Sequence, residues 1–332
     1  MSPLAKFSSI WIVLVAAKRE PGEAPLPLRL AVMSMRGRAM REIVETEPKD
    51  KGPPYPIGSS CLILTIDADQ LAGCHLALGW PMPRRIVDLL VEWRCATHGR
   101  RDATVGSLAG ALIWYGVPTA GAFDLGSSPK QLLSRLGAIA QLFSAMQSQL
   151  DLGRALLRGR YLCAVAHMEA VGVPIDGEKL ERLRAEWPRI LDQVVADVDC
   201  SFGIYRGRRL DVASFVAMLD RRRIEWPTTV SGAADLSDEA FREVARLPPE
   251  LSLLRELRST ILGFDPVAVV VGNDSRNRVP LRPFAAKTGR NQPSAKASIL
   301  GSPAWVRRLI RPIPGTGLAM IDWEQQEFGI AA

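Results

Sequence analysis

The apolar positions of this chain fall into two regimes. In the first, residues 1–150, short continuous apolar runs alternate with stretches of helical period. Ile10–Val15, Leu28–Met33, Met40–Val44 and Leu62–Ile66 predict strands, and loops rich in Pro and Gly separate them. Asp69–Leu78, with Leu71, His75 and Leu78 on one side, predicts a helix, as do Ile86–Trp93, Leu108–Tyr115 and Gln131–Met146. Strands interleaved with helices give an α/β unit. In the second regime, residues 151–265, helical period dominates. Leu156, Leu157, Tyr161, Val165 and Met168 predict an amphipathic helix that stops at Gly172-Val173-Pro174. Asp176 is placed to cap the next helix, whose stripe is Leu180, Leu183, Trp187, Ile190, Leu191, Val194 and Val198. Helices follow near Val212–Arg222, Asp238–Ala245 and Pro249–Leu262. From residue 266 to 332 the pattern changes again: Val267–Val271 and Leu318–Ile321 are short apolar runs that predict strands.

Composition narrows what such a chain does. Of 332 residues, 47% are apolar and 23% charged, which suits globular domains and excludes a disordered one. The net charge of +7 favours a polyanionic partner. Cys61, Cys74, Cys95, Cys163 and Cys200 form no C-x-x-C pair, so zinc-site and disulfide readings lose to reduced thiols of a cytoplasmic protein. The run Ile10–Ala17 is eight residues, too short to span a bilayer, so no membrane role is expected. His75 lies on an apolar helix face without ligand-type neighbours and reads as a core residue.

Chemistry concentrates at the end of the sequence. Leu318–Ile321 delivers Asp322, with Glu324 and Glu327 close behind. A carboxylate fixed at a strand end suits a hard cation such as Mg2+. Upstream lie Arg276, Arg278, Arg282, Lys287, Arg290, Lys296, Arg307, Arg308 and Arg311, with Asp274 the one acid between Gly272 and Ile321. A metal-type acid beside a field of one sign fits phosphodiester chemistry.

The stretch D-W-E-Q-Q-E-F resembles motif A of the family A DNA polymerases, the DNA polymerase I family, usually D-Y-S-Q-I-E-L-R. The resemblance implies that Asp322 binds the catalytic magnesium. It also implies that Gln325 holds the motif's glutamine place and that Glu327 lies against the sugar of an incoming nucleotide. T-G-R-N-Q-P, Thr288 to Pro293, resembles the family's T-G-R element. Thr288, Arg290 and Gln292, with Lys287 beside them, would then contact the primer–template. Arg307 and Arg308 match a basic pair in the interval before motif A. M-E-A-V-G-V-P-I-D, Met168 to Asp176, resembles the start of the family's thumb side. Trp323, Glu324 and Gly329 depart from the pattern, where tyrosine, serine and arginine are usual.

The resemblance implies a fold class of α/β plus α in three parts: an RNase H-like, 3′–5′ exonuclease-type domain over residues 1–150, a helical thumb-like region over 151–265, and the first segment of a polymerase palm over 266–332. Such an exonuclease needs acids on its first strand and on a late helix, whereas Ile12–Ala17 and Ser134–Ala138 hold none. Asp67, Asp69, Asp88 and Glu92 remain, so the domain is expected to be inactive. The polymerase reaction needs a second carboxylate from a later motif, and the sequence runs only ten residues past Asp322. The expectation is DNA binding without polymerisation by this chain alone, with dNTP used only if a second chain completes the site. The alternatives are a non-catalytic DNA-binding remnant and a residual nuclease working through Asp67, Asp69 and Asp88.

Overall fold

The computed structural model describes residues 3–35, 41–45, 52–97, 107–118, 128–244, 249–286, 288–319 and 321–331. His98, Lys287 and Met320 lie outside them. The chain divides into two compact units: residues 1–173 with 270–294, and residues 174–269 with 295–332.

The first unit is built on five strands: β1 (Ser9–Lys18), β2 (Leu26–Ser34), β3 (Arg41–Glu45), β4 (Cys61–Thr65) and β5 (Ile86–Asp88), ordered β3-β2-β1-β4-β5. β2 runs antiparallel to both β1 and β3, whereas β4 runs parallel to β1 and to β5. The register sets Val13 opposite Val32, Ile12 opposite Leu64, and Leu64 opposite Val87. Alternation along β1 sends Ile10, Ile12, Leu14 and Ala16 to one face and Val13 and Val15 to the other. Helices cover both faces, which is why the sequence reads as continuous apolar runs rather than alternating ones. On the first face lie α2 (Leu89–Ala96), α3 (Leu108–Trp114) and α4 (Pro129–Met146), whose Leu132, Leu136, Ile139 and Phe143 are buried. Ser128 starts α4 with a reciprocal cap, its Oγ accepting from the Gln131 N–H while the Gln131 side chain accepts from the Ser128 N–H. On the second face lie α1 (Ala68–Leu78) and the long α5 (Leu152–Val171).

α5 meets the sheet at one glycine. A methyl group on Gly159 would stand 1.9 Å from the Ile86 carbonyl oxygen. Only a residue without Cβ lets helix backbone and strand backbone approach this closely. His75, on α1, is a core residue as its pattern predicts. Its Nδ1–H donates to the Pro81 carbonyl at 2.7 Å, and Tyr55 donates its hydroxyl to Nε2 at 2.6 Å. Burial holds its pKa below the ordinary value.

Three expectations are corrected. Residues 86–88 are a strand, and the helix begins only at Leu89, because Ile86 and Val87 pair with β4 and Asp88 caps α2. The extent of α5 is as predicted and Leu156 and Val165 of its stripe are buried, but Leu157, Tyr161 and Met168 are exposed, and Leu152, Ala155, Gly159, Leu162 and Ala166 complete the buried face instead. Small residues at Ala155, Gly159 and Ala166 mark the contact face better than large ones, because the helix packs at backbone distance. Val267–Val271 is not a strand, and neither Leu318 and Ala319 nor Ile321 lies in one, Met320 being outside the described residues. Leu318 and Ile321 are 58% and 86% exposed, with no strand beside them among the described residues. The palm segment expected over 266–332 therefore carries no sheet of that kind there.

The second unit is helical: α6 (Gly177–Asp199), α7 (Val212–Arg222), α8 (Asp238–Val244), α9 (Pro249–Gly263) and α10 (Gln326–Ala331). Asp176 caps α6 by accepting from the Lys179 N–H at 3.1 Å. Leu180, Trp187, Leu191 and Val195 form its buried side. A second cluster gathers Phe202, Ile204, Phe215, Met218, Leu219, Phe241, Leu251 and Leu254. Trp187, on the apolar stripe predicted for α6, packs against Phe264 and Trp305, and Trp226 packs against Phe215 and Phe241.

Two outcomes follow from the first unit. Gly159→Ala forces α5 away from β5 and lowers stability by about 1–3 kcal/mol, the usual cost of overpacking, measurable as a lower urea midpoint. Because the folded pKa of His75 lies below the unfolded value, the unfolded chain gains its proton first as pH falls. The stability that neutral His75 contributes is full above about pH 6.5 and is lost below it. The stability gap between the wild-type protein and His75→Phe narrows from pH 7.5 to pH 5.5 in urea unfolding; a constant gap contradicts the assignment.

Candidate nucleic-acid interface

The T-G-R segment forms a tight loop on the first unit. The Gly289 N–H donates to the Ala286 carbonyl at 3.0 Å, and the Ala286 N–H to the Arg290 carbonyl at 3.3 Å. Gly289 supplies the positive φ of 77° that this turn requires. The Gln292 N–H reaches back to the Leu281 carbonyl at 2.9 Å. Thr288, Arg290 and Gln292 are exposed, while Phe284 beneath them packs edge-on against Tyr161 of α5, with ring centres 5.6 Å apart. The Tyr161 hydroxyl donates to Asn291 Oδ1 at 2.8 Å. The loop thus presents polar and cationic groups outward from an aromatic anchor on a helix.

What seats this loop is Glu169, which pattern reading missed although it stands in the M-E-A-V-G-V-P-I-D phrase. Glu169 is 7% exposed. One oxygen accepts from Arg19 at 2.6 Å and the other from the Leu281 N–H at 2.6 Å. The segment before the loop is fastened to the end of α5 by arginines. Arg278 donates to the Ala170 carbonyl at 2.8 Å and pairs with Asp274, and Arg276 donates to the Val171 carbonyl at 2.8 Å. These bonds satisfy carbonyls that a helix end leaves open. Arg276 and Arg278 therefore belong to the scaffold, although their charge places them in the basic field. In the other unit Arg311 lies 3.4 Å from Asp176. Arg282, Arg290, Lys296, Arg307 and Arg308 are exposed.

The carboxylates near the sheet do not assemble a metal centre. Asp67 follows β4 by two residues at the start of α1, Asp88 ends β5, and Asp69 sits in the first turn of α1. Asp88 is spent on backbone: Oδ1 accepts from the Leu90 and Val91 N–H groups and Oδ2 from the Ala68 N–H at 2.8 Å. Desolvation pushes its carboxyl up to about 6 against the pull of those donors. The Asp67 carboxyl is raised as well, by desolvation and then by the charges of Asp88 and Asp69, though its exposure to water screens the effect. Glu92 is buried and paired with Arg158, the Nε–Oε1 distance being 2.7 Å. Among the described residues no three His, Cys, Asp or Glu side chains stand together to hold a metal ion.

The motif A residues lie in the second unit. Asp322 is exposed on an irregular segment, its Oδ1 accepting from the adjacent Trp323 N–H at 3.0 Å. Gln325 is exposed with a positive φ of 50°, and Glu327 lies within α10. Arg307 and Arg308 sit exposed on a 3-10 turn, Val306–Leu309, which Val306 and Leu309 pin by burial. A pair of magnesium ions needs several oxygen donors converging from more than one element. One exposed carboxylate does not fit that requirement.

No protein-family profile and no curated protein matches the chain. Among solved structures it is similar to the POL domain of Pol1 from M. smegmatis, in complex with DNA primer-template and dNTP. The TM-score is 0.65 at 16% identity, over 90% of this chain and 54% of that one. The chain therefore spans about half the length of that structure. The fold is polymerase-like, a mixed α/β arrangement similar to a polymerase domain. No helix among the described residues is long and apolar enough to cross a membrane.

Glu169→Ala strips Arg19 and the Leu281 N–H of their shared acceptor. The expected loss lies near the low end of the about 3–5 kcal/mol that removing one partner of a buried pair costs, since Arg19 keeps some water. Glu169→Gln, which can still accept from Leu281, loses less. Urea unfolding of the two variants separates these outcomes, and equal midpoints for both and the wild type contradict the role given to Glu169.

Proposed function

We propose that this chain is a family A DNA polymerase-like protein that binds primer–template DNA and, by itself, does not extend it. The observation that carries the reading is the T-G-R loop: a turn of the expected motif, exposed at Thr288, Arg290 and Gln292 and fixed to α5 through Phe284, Asn291 and Glu169. Lys287 belongs to the same motif, and Arg307 and Arg308 add exposed cations on the other unit. Guanidinium groups suit phosphate because their planar fork donates two hydrogen bonds at once.

The finer parts of the reading rest on supports of different kinds. The order β3-β2-β1-β4-β5, with β2 alone antiparallel to its neighbours, supports an RNase H-like, exonuclease-type domain over residues 1–150. Its lost acids, and an Asp88 committed to backbone donors, support catalytic silence there. Residues 151–265 are then thumb-like and 266–332 begin the palm. By resemblance Asp322 takes the place of motif A's metal-binding aspartate, Glu327 that of the residue against the nucleotide sugar, and Gln325 that of the motif's glutamine. A dNTP would be used only where further carboxylates converge on Asp322. A cytoplasmic setting suits the free cysteines.

Fluorescence anisotropy with labelled primer–template tests the binding half. The wild-type protein binds with an affinity that falls as salt rises, and Arg290→Ala weakens binding about tenfold, the equivalent of one charge-assisted hydrogen bond. Absence of binding at low salt overturns the reading. Primer extension by the purified chain with magnesium and dNTPs overturns the second half.

A further inference from the structure

The first unit holds a cationic notch that the T-G-R reading does not use. A cavity of about 430 Å³ is lined by Ser59, Met82, Pro83, Arg84, Arg85, Arg160 and Cys163. It has three arginines and no carboxylate among its lining residues. All three arginines are exposed, and the wall between them is set by Pro83, which is buried, and Met82, which is half-buried.

The guanidinium-bearing positions are fixed by the sheet. The Arg84 N–H donates to the Ile57 carbonyl at 3.2 Å, and the Arg85 carbonyl accepts from the Ile63 N–H at 2.9 Å, so both residues are tied down where β5 begins. Arg160 follows Gly159, the residue that touches Ile86, and Arg85 precedes Ile86. The backbone contact between α5 and β5 therefore brings Arg85 and Arg160 to the same place. Cys163 joins Arg160 one helical turn on.

The notch is also on the opposite side from the remnant acids. β4 and β5 are parallel, and Ser59, Arg84 and Arg85 precede them, while Asp67 follows β4 and Asp88 ends β5. The five residues of β4 span about 16 Å and the three of β5 about 10 Å, and Asp88 at the end of β5 is committed to backbone donors, so it is not paired with the arginines. Three like charges lining one cavity, with no carboxylate among the described residues that line it, are costly unless an anion offsets them, and planar guanidinium forks favour phosphate oxygens.

We propose that this notch binds the phosphate backbone of a nucleic-acid strand. An open surface cavity walled by two short apolar residues has no enclosed slot for a base, which favours backbone over a free nucleotide. The inference stands apart from the proposed T-G-R contact, because the two share no residue.

The test compares four proteins: wild type, Arg84→Ala/Arg85→Ala/Arg160→Ala, the corresponding triple Lys variant, and Arg290→Ala. Each is titrated with a single-stranded oligonucleotide over a range of salt, circular dichroism confirming that each is folded. Losing about three phosphate contacts lowers the slope of log affinity against log salt by about 2 in the triple Ala variant. The triple Lys variant keeps the wild-type slope, since its charges remain. Arg290→Ala retains the notch contribution, so failure of the T-G-R reading and failure of this one are distinguishable. An unchanged slope in the triple Ala variant overturns the proposal. So does saturable calorimetric binding of inorganic phosphate or a dNTP that the triple Ala variant abolishes while its oligonucleotide binding stays as in the wild type.

Discussion

The first unit depends on a helix that approaches a strand at backbone distance. Gly159 admits α5 against Ile86, and from that contact the helix extends to the Glu169 carboxylate near its far end. Ten residues of α-helix rise about 15 Å, so one rigid element carries both the packing contact and the anchor of the T-G-R loop. The two interactions differ in kind. The glycine contact is steric and admits no side chain. The glutamate contact is electrostatic: it is worth its desolvation only because Arg19 and the Leu281 N–H use both of its oxygens. A neutral side chain there could keep one bond but not the charge that holds Arg19.

The charge distribution derives from that scaffold. A count of arginines from 276 to 311 suggests a uniform cationic track, yet part of it is structural. Arg276 and Arg278 close the end of α5, where the helix dipole already favours cations. Asp274 offsets Arg278. The cations that remain outward include Arg282, Arg290 and Lys296 and, on the 3-10 turn, Arg307 and Arg308. The acids divide in the same way. Asp88, Asp176 and Asp151 are helix caps, and Glu92 and Glu169 are halves of buried ion pairs. In the sheet unit, Asp88, Glu92 and Glu169 are spent on holding the fold.

Much of this was legible in the sequence where the physics is local. Continuous apolar runs marked β1, β2 and β4, and Asp176 marked a helix start, because capping needs only neighbouring backbone donors; Ser128 and Asp151 cap in the same way although the pattern did not single them out. The sequence misled where partners are distant. Leu318–Ile321 has the composition of a buried strand, but a strand is made by its neighbours, and the described residues set none beside it. Leu157, Tyr161 and Met168 have helical spacing and face outward, because spacing fixes which residues share a face and not which face is covered. Tyr161 then uses its exposed position to hold Asn291, a contact 130 residues away that no local pattern encodes.

The same distinction governs what the motif A residues can mean. A sequence motif records a chemistry that needs several elements to converge, whereas Asp322 by itself records one donor. Here its nearest hydrogen-bond donor is the N–H of Trp323, the next residue, on an exposed segment. A hard cation in such a place keeps most of its water, because one carboxylate replaces at most two of its oxygen ligands. Weak, water-filled coordination gives an ion neither a fixed position nor a lowered pKa for its attendant groups, so resemblance to the motif does not by itself carry the motif's activity. The binding half of a polymerase asks less. Phosphate contacts add nearly independently, each releasing its own counterions, and in the proposed reading a loop pinned by one buried glutamate supplies one of them.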